Sequence, residues 1–440
     1  MLTANVFLIG AFLLLLLLGT PIAVALGLSG VAGILTGLDQ YALGTVGTNT
    51  YNSIAKYPLI AIPLFVLTGV IFERSGVARR LVEFAAYFVG PRRGGLAVVA
   101  ILVCMIMGGM AGSGPADAAA VATVMIPSMR RVGYPAAFSA SVIASAASTA
   151  ILIPPSIALI VYGVMVPGTD IRALFAAGLI PGILSGLFIA VPTLIISRRQ
   201  GFGAAEAGEQ GPRRRFLDVF VQALPGLMAP VIILGGLRTG LFTPTETAVV
   251  AVFYGIFIGL FVYRELKVRD IYKALAESAE TSAVIMLIIA LAGIFAWAGG
   301  TLGAFDSAAR GLLDLTDNGW VILGMIMVIL LFAGMVLDGV SIYLITLPLI
   351  VPIAQTYDWN LTWLGVADGD EHRDRPVHAA GRREPDRDGP HRQGADRRDG
   401  ALGDLDGAGH GAAARTADGG AGSRPLAAEN PGLRRLTQPA

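Results

Sequence analysis

The first 365 residues carry too few charges to cover the surface of a water-soluble domain. They contain 20 of the 32 Lys and Arg and 18 of the 31 Asp and Glu of the 440-residue chain, whereas soluble proteins have about one charged residue in four. A membrane-spanning helix needs about 20 mainly apolar residues. The sequence therefore predicts an all-α polytopic membrane protein, and its candidate spans are 4–19, 21–37, 57–72, 136–166, 171–197, 217–237, 245–263 and 279–298.

The basic residues predict the orientation of these spans. Sixteen of the 20 Lys and Arg lie in four patches, within residues 74–93, 130–131, 198–215 and 264–273. Cytoplasmic loops of membrane proteins are enriched in Lys and Arg. The four patches are therefore expected on the cytoplasmic side of a multi-pass inner-membrane protein.

Residues 94–131 are predicted to form a re-entrant helical hairpin. Basic pairs flank the segment on both sides, at 92–93 and 130–131, so both ends face the cytoplasm. The segment between them is too short to cross the membrane twice. Its centre, GGMAGSGPADAAA, interrupts the helix with glycines and Pro115. A second interruption, at Pro154-Pro155, predicts a broken helix over 136–166.

Matching motifs recur in the two halves of the chain at a common offset. Gly109-Met110 is followed by Pro127 in the first half, and Gly334-Met335 is followed by Pro352 at the same spacing in the second. The second copy starts on the cytoplasmic side, so its hairpin, 319–352, enters from the opposite face. We therefore predict two inverted repeats, 1–199 and a truncated 217–365, joined by a cytoplasmic linker at 200–216. Many secondary transporters have this architecture.

The composition changes abruptly at Val366. Residues 366–440 contain all four His and no Ile, Met, Phe, Tyr, Trp or Lys. A disordered tail is the simple interpretation. We favour translation in a shifted frame, because permissible codons read one base later give apolar segments and place a proline pair at positions 379 and 380. Position 379 has the same spacing from Gly334 as Pro154 has from Gly109.

Several stretches resemble the large membrane subunit of tripartite ATP-independent periplasmic (TRAP) transporters. They are GGMAGSGPADAAAVATVMIPSMRRVGYP, STAILIPPSIALIVYGV, GLRTGLFTPTETAVVAVFYG and GMVLDGVSIYLITLPLIVPIA. The resemblance covers roughly residues 1–365. It implies an elevator-type secondary transporter that imports an organic acid, such as a C4-dicarboxylate or related carboxylate, together with sodium. It also implies two partners, a periplasmic solute-binding protein and a small four-helix membrane subunit.

Two groups of small polar residues are candidates for a sodium site. Sodium prefers several oxygen ligands, and broken helices offer free backbone carbonyls. We expect these ligands at the hairpin tip and in the broken helix, with close helix packing as the alternative role of the small residues. The candidates are Gly108, Gly109, Ser113 and Gly114 at the tip, and Ser145, Ser148 and Thr149 in the broken helix.

Two acidic residues are candidates for substrate or ion binding. Asp338, with the adjacent Gly339 and Ser341, occupies the position in the second hairpin that matches Ser113 in the first. A carboxylate inside the bilayer needs a cation, a proton or hydrogen-bond donors. The alternative for Asp338 is an acid at the periplasmic rim. Asp117 is the second candidate, with capping of the second hairpin arm as its alternative.

The remaining polar residues have simpler interpretations. Glu246 is expected to cap a helix after Thr243-Pro244, and Lys56 and Arg238 to anchor helix ends or dock a partner. Cys104 is expected to be a packed core thiol. No phosphate-binding loop is present, and the chain is expected to need no cofactor besides sodium ions and no nucleic acid.

Three alternative functions compete with this one. An intramembrane enzyme would need a catalytic His, a Ser–Lys pair or paired Asp, yet all His lie in the tail and no Lys lies within a span. The two further alternatives are a sodium-coupled carboxylate carrier without a binding protein and a non-transporting membrane scaffold.

Overall fold

The structure is a computed structural model that describes residues 2–38, 40–89, 92–203, 215–335 and 337–366. These residues form 17 α-helices and no β-strand, and they all belong to one compact unit, Met1–Ala380. The predicted all-α fold is confirmed. The prediction for the tail, 367–440, and that for most of the linker, 204–214, lie outside the described residues.

Nine helices form the first part of the described chain. They are α1 (Leu2–Leu17), α2 (Ile22–Gly37), α3 (Thr45–Ile54), α4 (Ala61–Arg74), α5 (Val77–Val89), α6 (Gly95–Ala111), α7 (Gly114–Arg131), α8 (Ala136–Ala147) and α9 (Ile157–Met165). Eight follow: α10 (Ile171–Gln200), α11 (Phe216–Arg238), α12 (Pro244–Phe257), α13 (Val268–Thr301), α14 (Ala304–Leu313), α15 (Gly319–Gly334), α16 (Gly339–Thr356) and α17 (Leu361–Val366).

Six helical segments of the described chain are long and apolar enough to cross a membrane. They are Tyr57–Arg74, Ile171–Gln200, Phe216–Arg238, Pro244–Val262, Val268–Thr301 and Gly339–Thr356. The first five match predicted spans, and the predicted spans 4–19 and 21–37 are α1 and α2. Helices α3, α5, α14 and α17 were not predicted. They have 6 to 13 residues, and α5 and α14 are amphipathic, so a search for long apolar runs does not find them.

Helices α6 and α7 form a helical hairpin. They have 17 and 18 residues, or about 25 Å each at 1.5 Å per residue, which is less than the hydrocarbon thickness of about 30 Å. Gly112 and Ser113 connect them, and the two helices pack against each other. The chain thus turns back within 94–131, as a re-entrant hairpin requires.

The segment 136–166 is a broken helix. Helix α8 ends at Ala147, a 3-10 turn covers Ser148–Ile151, and α9 begins at Ile157. The Ser156 hydroxyl accepts a hydrogen bond from the Leu159 N–H at 3.3 Å and donates one to the Ile151 carbonyl. Ser156 therefore ends the break by capping α9.

Helix boundaries recur at the offset seen in the sequence. Helix α7 runs from Gly114 to Arg131 and α16 from Gly339 to Thr356, so both bounds are shifted by the same amount. The start of α15 relative to α6, and that of α17 relative to α8, agree with this shift to within one residue. These spacings agree with a repeat in the chain. The inverted orientation of the two repeats and the elevator motion stay predictions.

Candidate functional site

The tip of the first hairpin docks onto the break between α8 and α9. Gly112 has φ +62°, a left-handed conformation that favours glycine. A Cβ added there would lie 2.1 Å from the Pro155 carbonyl oxygen. The Ile157 N–H donates a hydrogen bond to the Gly112 carbonyl at 3.4 Å. The glycine is therefore required by both backbone conformation and close approach.

The other tip glycines also lie against this broken helix. A Cβ on Gly108 would be 2.9 Å from the Ala150 Cα, and one on Gly114 would be 3.1 Å from the Ala147 carbonyl oxygen. Gly109 has ordinary clearance, with Pro230 Cβ nearest at 3.5 Å. Close packing thus explains Gly108 and Gly114 directly. At Gly109, by contrast, the packing would also accommodate a Cβ atom.

The hydroxyl candidates of the broken helix divide into exposed and buried groups. Ser145 and Ser148 are exposed, and the Ser148 hydroxyl donates to the Ser145 carbonyl at 2.7 Å. Thr149 is buried, and its hydroxyl donates to the Ala146 carbonyl at 2.7 Å. Each donating oxygen keeps lone pairs for a cation. Thr149 is the candidate that faces the protein interior.

The tip of the second hairpin reaches the same broken helix. A Cβ on Gly339 would lie 3.4 Å from Ile151 Cδ1 and 3.9 Å from Ala158 Cβ. Gly112, at the tip of the first hairpin, lies against Pro155, which is between Ile151 and Ala158 in the broken helix. The structure therefore brings both hairpin tips to residues 150–158, which the sequence had not placed beside the second hairpin.

Asp338 is exposed and satisfies its carboxylate locally. It is the N-cap residue of α16, where it accepts a hydrogen bond from the Val340 N–H at 3.1 Å and another from the buried Ser341 hydroxyl. Ser113 is the N-cap residue of α7, but its side chain makes no capping hydrogen bond. The sequence match between Ser113 and Asp338 is therefore a match of structural position.

Asp117 is buried and its carboxylate has no hydrogen-bond partner among the described residues. The side chain is 1% exposed, and neither carboxylate oxygen is bonded. Because Ser113 is the N-cap residue, the interpretation of Asp117 as a helix cap is wrong. Glu73 of α4 and the Cys104 thiol of α6 lie within electrostatic range of Asp117. Neither group compensates a negative charge.

The simpler interpretations of three other residues are confirmed. Thr243 and Glu246 form a reciprocal capping box, with hydrogen bonds of 2.8 and 3.3 Å. Lys56 donates from Nζ to the Val164 carbonyl at the end of α9, at 3.2 Å. Cys104 is fully buried, and its nearest polar contact joins Sγ to the Ile143 carbonyl at 4.0 Å. Arg238 is exposed and joins no ion pair found in the described chain.

Two tyrosines near the site were missed by sequence reasoning. The Tyr162 hydroxyl donates to the Leu361 carbonyl at 2.6 Å, and the Tyr343 hydroxyl donates to the Gly365 carbonyl at 2.9 Å. Their rings are 5.3 Å apart. They hold α17 against α9 and α16. No local pattern signals these bonds, because the Tyr162 bond joins residues 199 positions apart.

Comparison with known proteins assigns the family. Residues 9–367 match the family described as "Tripartite ATP-independent periplasmic transporter, DctM component". The "C4-dicarboxylate TRAP transporter large permease protein DctM" of Pseudomonas aeruginosa is 39% identical over 345 residues, covering 78% of this chain and 79% of that protein. The "2,3-diketo-L-gulonate TRAP transporter large permease protein YiaN" of Escherichia coli is 35% identical over 350 residues, or 79% of this chain and 81% of that protein.

A third relative has a longer chain. The "Isethionate TRAP transporter permease protein DctMQ" of Oleidesulfovibrio alaskensis is 36% identical over 352 residues, which cover 79% of this chain and 54% of that protein. The chain belongs to the family of TRAP transporter large permease subunits. It is a multi-pass inner-membrane transport protein and not an enzyme.

Proposed function

We propose that this subunit imports an organic acid, a C4-dicarboxylate or a related carboxylate, together with sodium ions. Relatives named for C4-dicarboxylate and 2,3-diketo-L-gulonate transport support the substrate class. We further propose that a periplasmic solute-binding protein delivers the substrate and that a small four-helix membrane subunit completes the transporter. The relative named DctMQ is longer than this chain, which is consistent with fusion of the two membrane subunits.

The observation that carries the proposal is the meeting of both hairpin tips at the broken helix α8–α9. Proline lacks an N–H group and leaves a carbonyl unbonded one turn earlier. Pro154 and Pro155 therefore free the carbonyls of Ala150 and Ile151, of which the second accepts the Ser156 hydroxyl. We place a sodium ion between this break and the first tip, with Thr149 and the Ser113 hydroxyl as the side-chain ligands.

The substrate carboxylate is proposed to bind at the start of α7. Free N–H groups at helix N-termini suit anions, and Ser113 leaves those of α7 without a side-chain cap. At the start of α16 the Asp338 carboxylate already occupies the Val340 N–H. An anion near the buried Asp117 adds negative charge in a region of low dielectric. Cations must accompany it, which gives sodium coupling a physical basis.

Uptake by the reconstituted transporter tests this proposal. Labelled C4-dicarboxylate is offered to vesicles that contain the assembled membrane subunits, with sodium outside, with potassium only, and without the binding protein. We expect uptake only with sodium and the binding protein, and no requirement for ATP. Equal uptake in potassium would refute sodium coupling. Equal uptake without the binding protein would support the carrier that works alone.

We also propose that residues 366–440 are translated out of frame. Helix α17 starts at the position of the repeat that corresponds to α8, and the family match ends at residue 367. In this interpretation α17 is the first turn of a second broken helix. Resequencing around codon 366 tests it, and an identical polar tail encoded in frame by several close strains would contradict it.

A further inference from the structure

Five aromatic rings form a cluster on the predicted cytoplasmic side, where α5 meets the first turns of α11. Ring centroids lie 5.4 Å apart for Tyr87 and Phe216, 5.9 Å for Phe88 and Phe216, and 6.0 Å for Phe84 and Phe220. Three rings remain open, with Phe88 63%, Tyr87 42% and Phe216 39% exposed. We call these five residues the ring cluster. Tyr is enriched at the boundary between membrane and water, and Phe is typical of the apolar face of amphipathic helices that lie in this boundary. Helix α5 is amphipathic.

Exposed arginines border the ring cluster. Arg215 directly precedes Phe216, and Arg92 and Arg93 follow the end of α5 by three and four residues. All three are exposed. None of them takes part in the ion pairs found in the described parts of the chain, which involve Arg74, Arg79, Arg80 and Arg172.

The loop before α6 joins this surface to the end of α10. A Cβ on Gly94 would lie 2.8 Å from Leu194 Cδ1 and 3.2 Å from Ser197 Cβ. Arg198 and Arg199, both exposed, follow directly in α10. The basic surface therefore has five arginines, whereas α5, α10 and α11 contribute only Glu83 and Asp218 as acidic residues.

We propose that the ring cluster and its bordering arginines bind the phosphate groups of anionic phospholipids in the cytoplasmic leaflet. A guanidinium group pairs with phosphate through two parallel hydrogen bonds. The rings lie beside the arginines, so they sit at headgroup depth while the guanidinium groups reach the phosphates. Positive charge spread over three chain segments complements a continuous anionic surface.

Lipid-dependent thermal stability of the purified full chain tests the proposal. The chain is titrated in mixed micelles with phosphatidylglycerol or phosphatidylcholine, and the unfolding midpoint is recorded. A ligand that binds only the folded state raises this midpoint. We expect stabilisation by phosphatidylglycerol alone, and a loss of apparent lipid affinity of about fivefold for each arginine removed. The triple variant Arg92→Gln, Arg93→Gln, Arg215→Gln should then bind about a hundredfold more weakly.

A control variant tests whether the lipid response depends on this surface or only on the total number of basic residues. Arg269→Gln with Lys273→Gln removes two exposed basic residues of α13, which lie outside the ring cluster, and should leave the response to phosphatidylglycerol intact. Inorganic phosphate should give no stabilisation, which distinguishes a lipid from a free anion. Tyr87→Ala with Phe88→Ala should weaken the response to phosphatidylglycerol.

Three results would overturn the proposal: equal stabilisation by both lipids, equal loss in the α13 control, or an unchanged lipid response in the ring variant. Because the assay measures no transport, its outcome is independent of the proposed substrate and of sodium coupling.

Discussion

The two hairpins have the same outline but different surroundings. Helix α6 buries 12 of its 17 residues, whereas α15 buries 3 of its 16. Helix α6 packs on α8 and on the 3-10 turn that follows it. The corresponding partner of α15 would begin with α17, which the structure describes for only six residues. Among the described residues, no broken helix covers the second hairpin as α8 and α9 cover the first.

The two hairpin tips also differ in packing, and the first tip is again the more closely packed. Gly112 approaches the Pro155 carbonyl too closely for any side chain, whereas Gly339 has ordinary van der Waals clearance. Asp117 is buried without partners in the first hairpin, and Asp338 is exposed and hydrogen-bonded in the second. The first tip is fixed by packing. The second is less tightly packed, and its acidic residue caps its own helix.

Restoring the proposed reading frame should change the second hairpin most. A full second broken helix would cover α15, whose exposed residues include Trp320 and Leu331, and slow its amide exchange. Hydrogen–deuterium exchange of the chain with and without the restored segment measures this. Helix α6 is the internal control and should not change. Equal exchange of α15 in both proteins would contradict the assignment of the missing partner.

Alanine at Gly112 should damage the protein more than alanine at Gly339. A left-handed backbone and a contact of 2.1 Å oppose the first change, and we expect it to destabilise the folded state by about 2–4 kcal/mol. The change Gly339→Ala, at the glycine of the second tip that corresponds to Gly114 and has ordinary clearance, should cost less than about 1 kcal/mol. Chemical unfolding of the purified variants compares the two. Similar losses would show that the second tip is packed as tightly as the first.

Asp117→Asn should stabilise the fold while lowering transport. Replacing a buried carboxylate that lacks partners removes the cost of burying a charge. We expect a gain of about 1 kcal/mol in the free energy of unfolding and weaker sodium-dependent uptake. Asp306→Asn on α14 is a control at an exposed acid. A destabilised Asp117→Asn protein would mean that the carboxylate has a partner in the folded membrane protein.

The smallest differences in stability are expected at the two N-cap positions, Ser113 and Asp338. Asp338→Asn keeps an oxygen that can cap α16 but loses the negative charge at the helix N-terminus, at a cost of about 0.3–1 kcal/mol in stability. Ser113→Ala removes no capping bond and should change stability by less than about 0.5 kcal/mol. Both should weaken apparent sodium or substrate affinity, about five- to thirtyfold for a lost ligand worth about 1–2 kcal/mol.

The predicted loss of affinity is tested by measuring uptake as a function of sodium concentration. The measurement uses variants that have been shown to assemble correctly. Wild-type affinity in both proteins would reduce the two tips to packing elements. The packing interpretation also predicts that Gly108→Val, at a glycine whose Cβ would lie 2.9 Å from the Ala150 Cα, prevents assembly while the two polar variants behave as wild type.

The sequence predicts the parts of this fold that depend on local patterns. Long apolar runs identify the spans, and Pro154-Pro155 identifies the broken helix, because proline acts on its own turn of backbone. The amphipathic α5 and α14 were missed, since polar residues interrupt the apolar sequence of each helix. The contact of Gly339 with Ile151 was also beyond prediction. It joins residues from opposite halves of the chain whose own sequences carry no sign of each other.

The single cysteine has a consequence for measuring motion. The chain has one Cys, and Cys104 lies fully inside the protein beside Ile143. A thiol in that position is shielded from maleimides and from nitroxide reagents. Cysteines introduced at exposed positions such as Met335 and Leu241 can therefore be labelled with almost no labelling of the native Cys104. Distances between such probes report whether one hairpin travels relative to the rest of the subunit, without first engineering a cysteine-free protein.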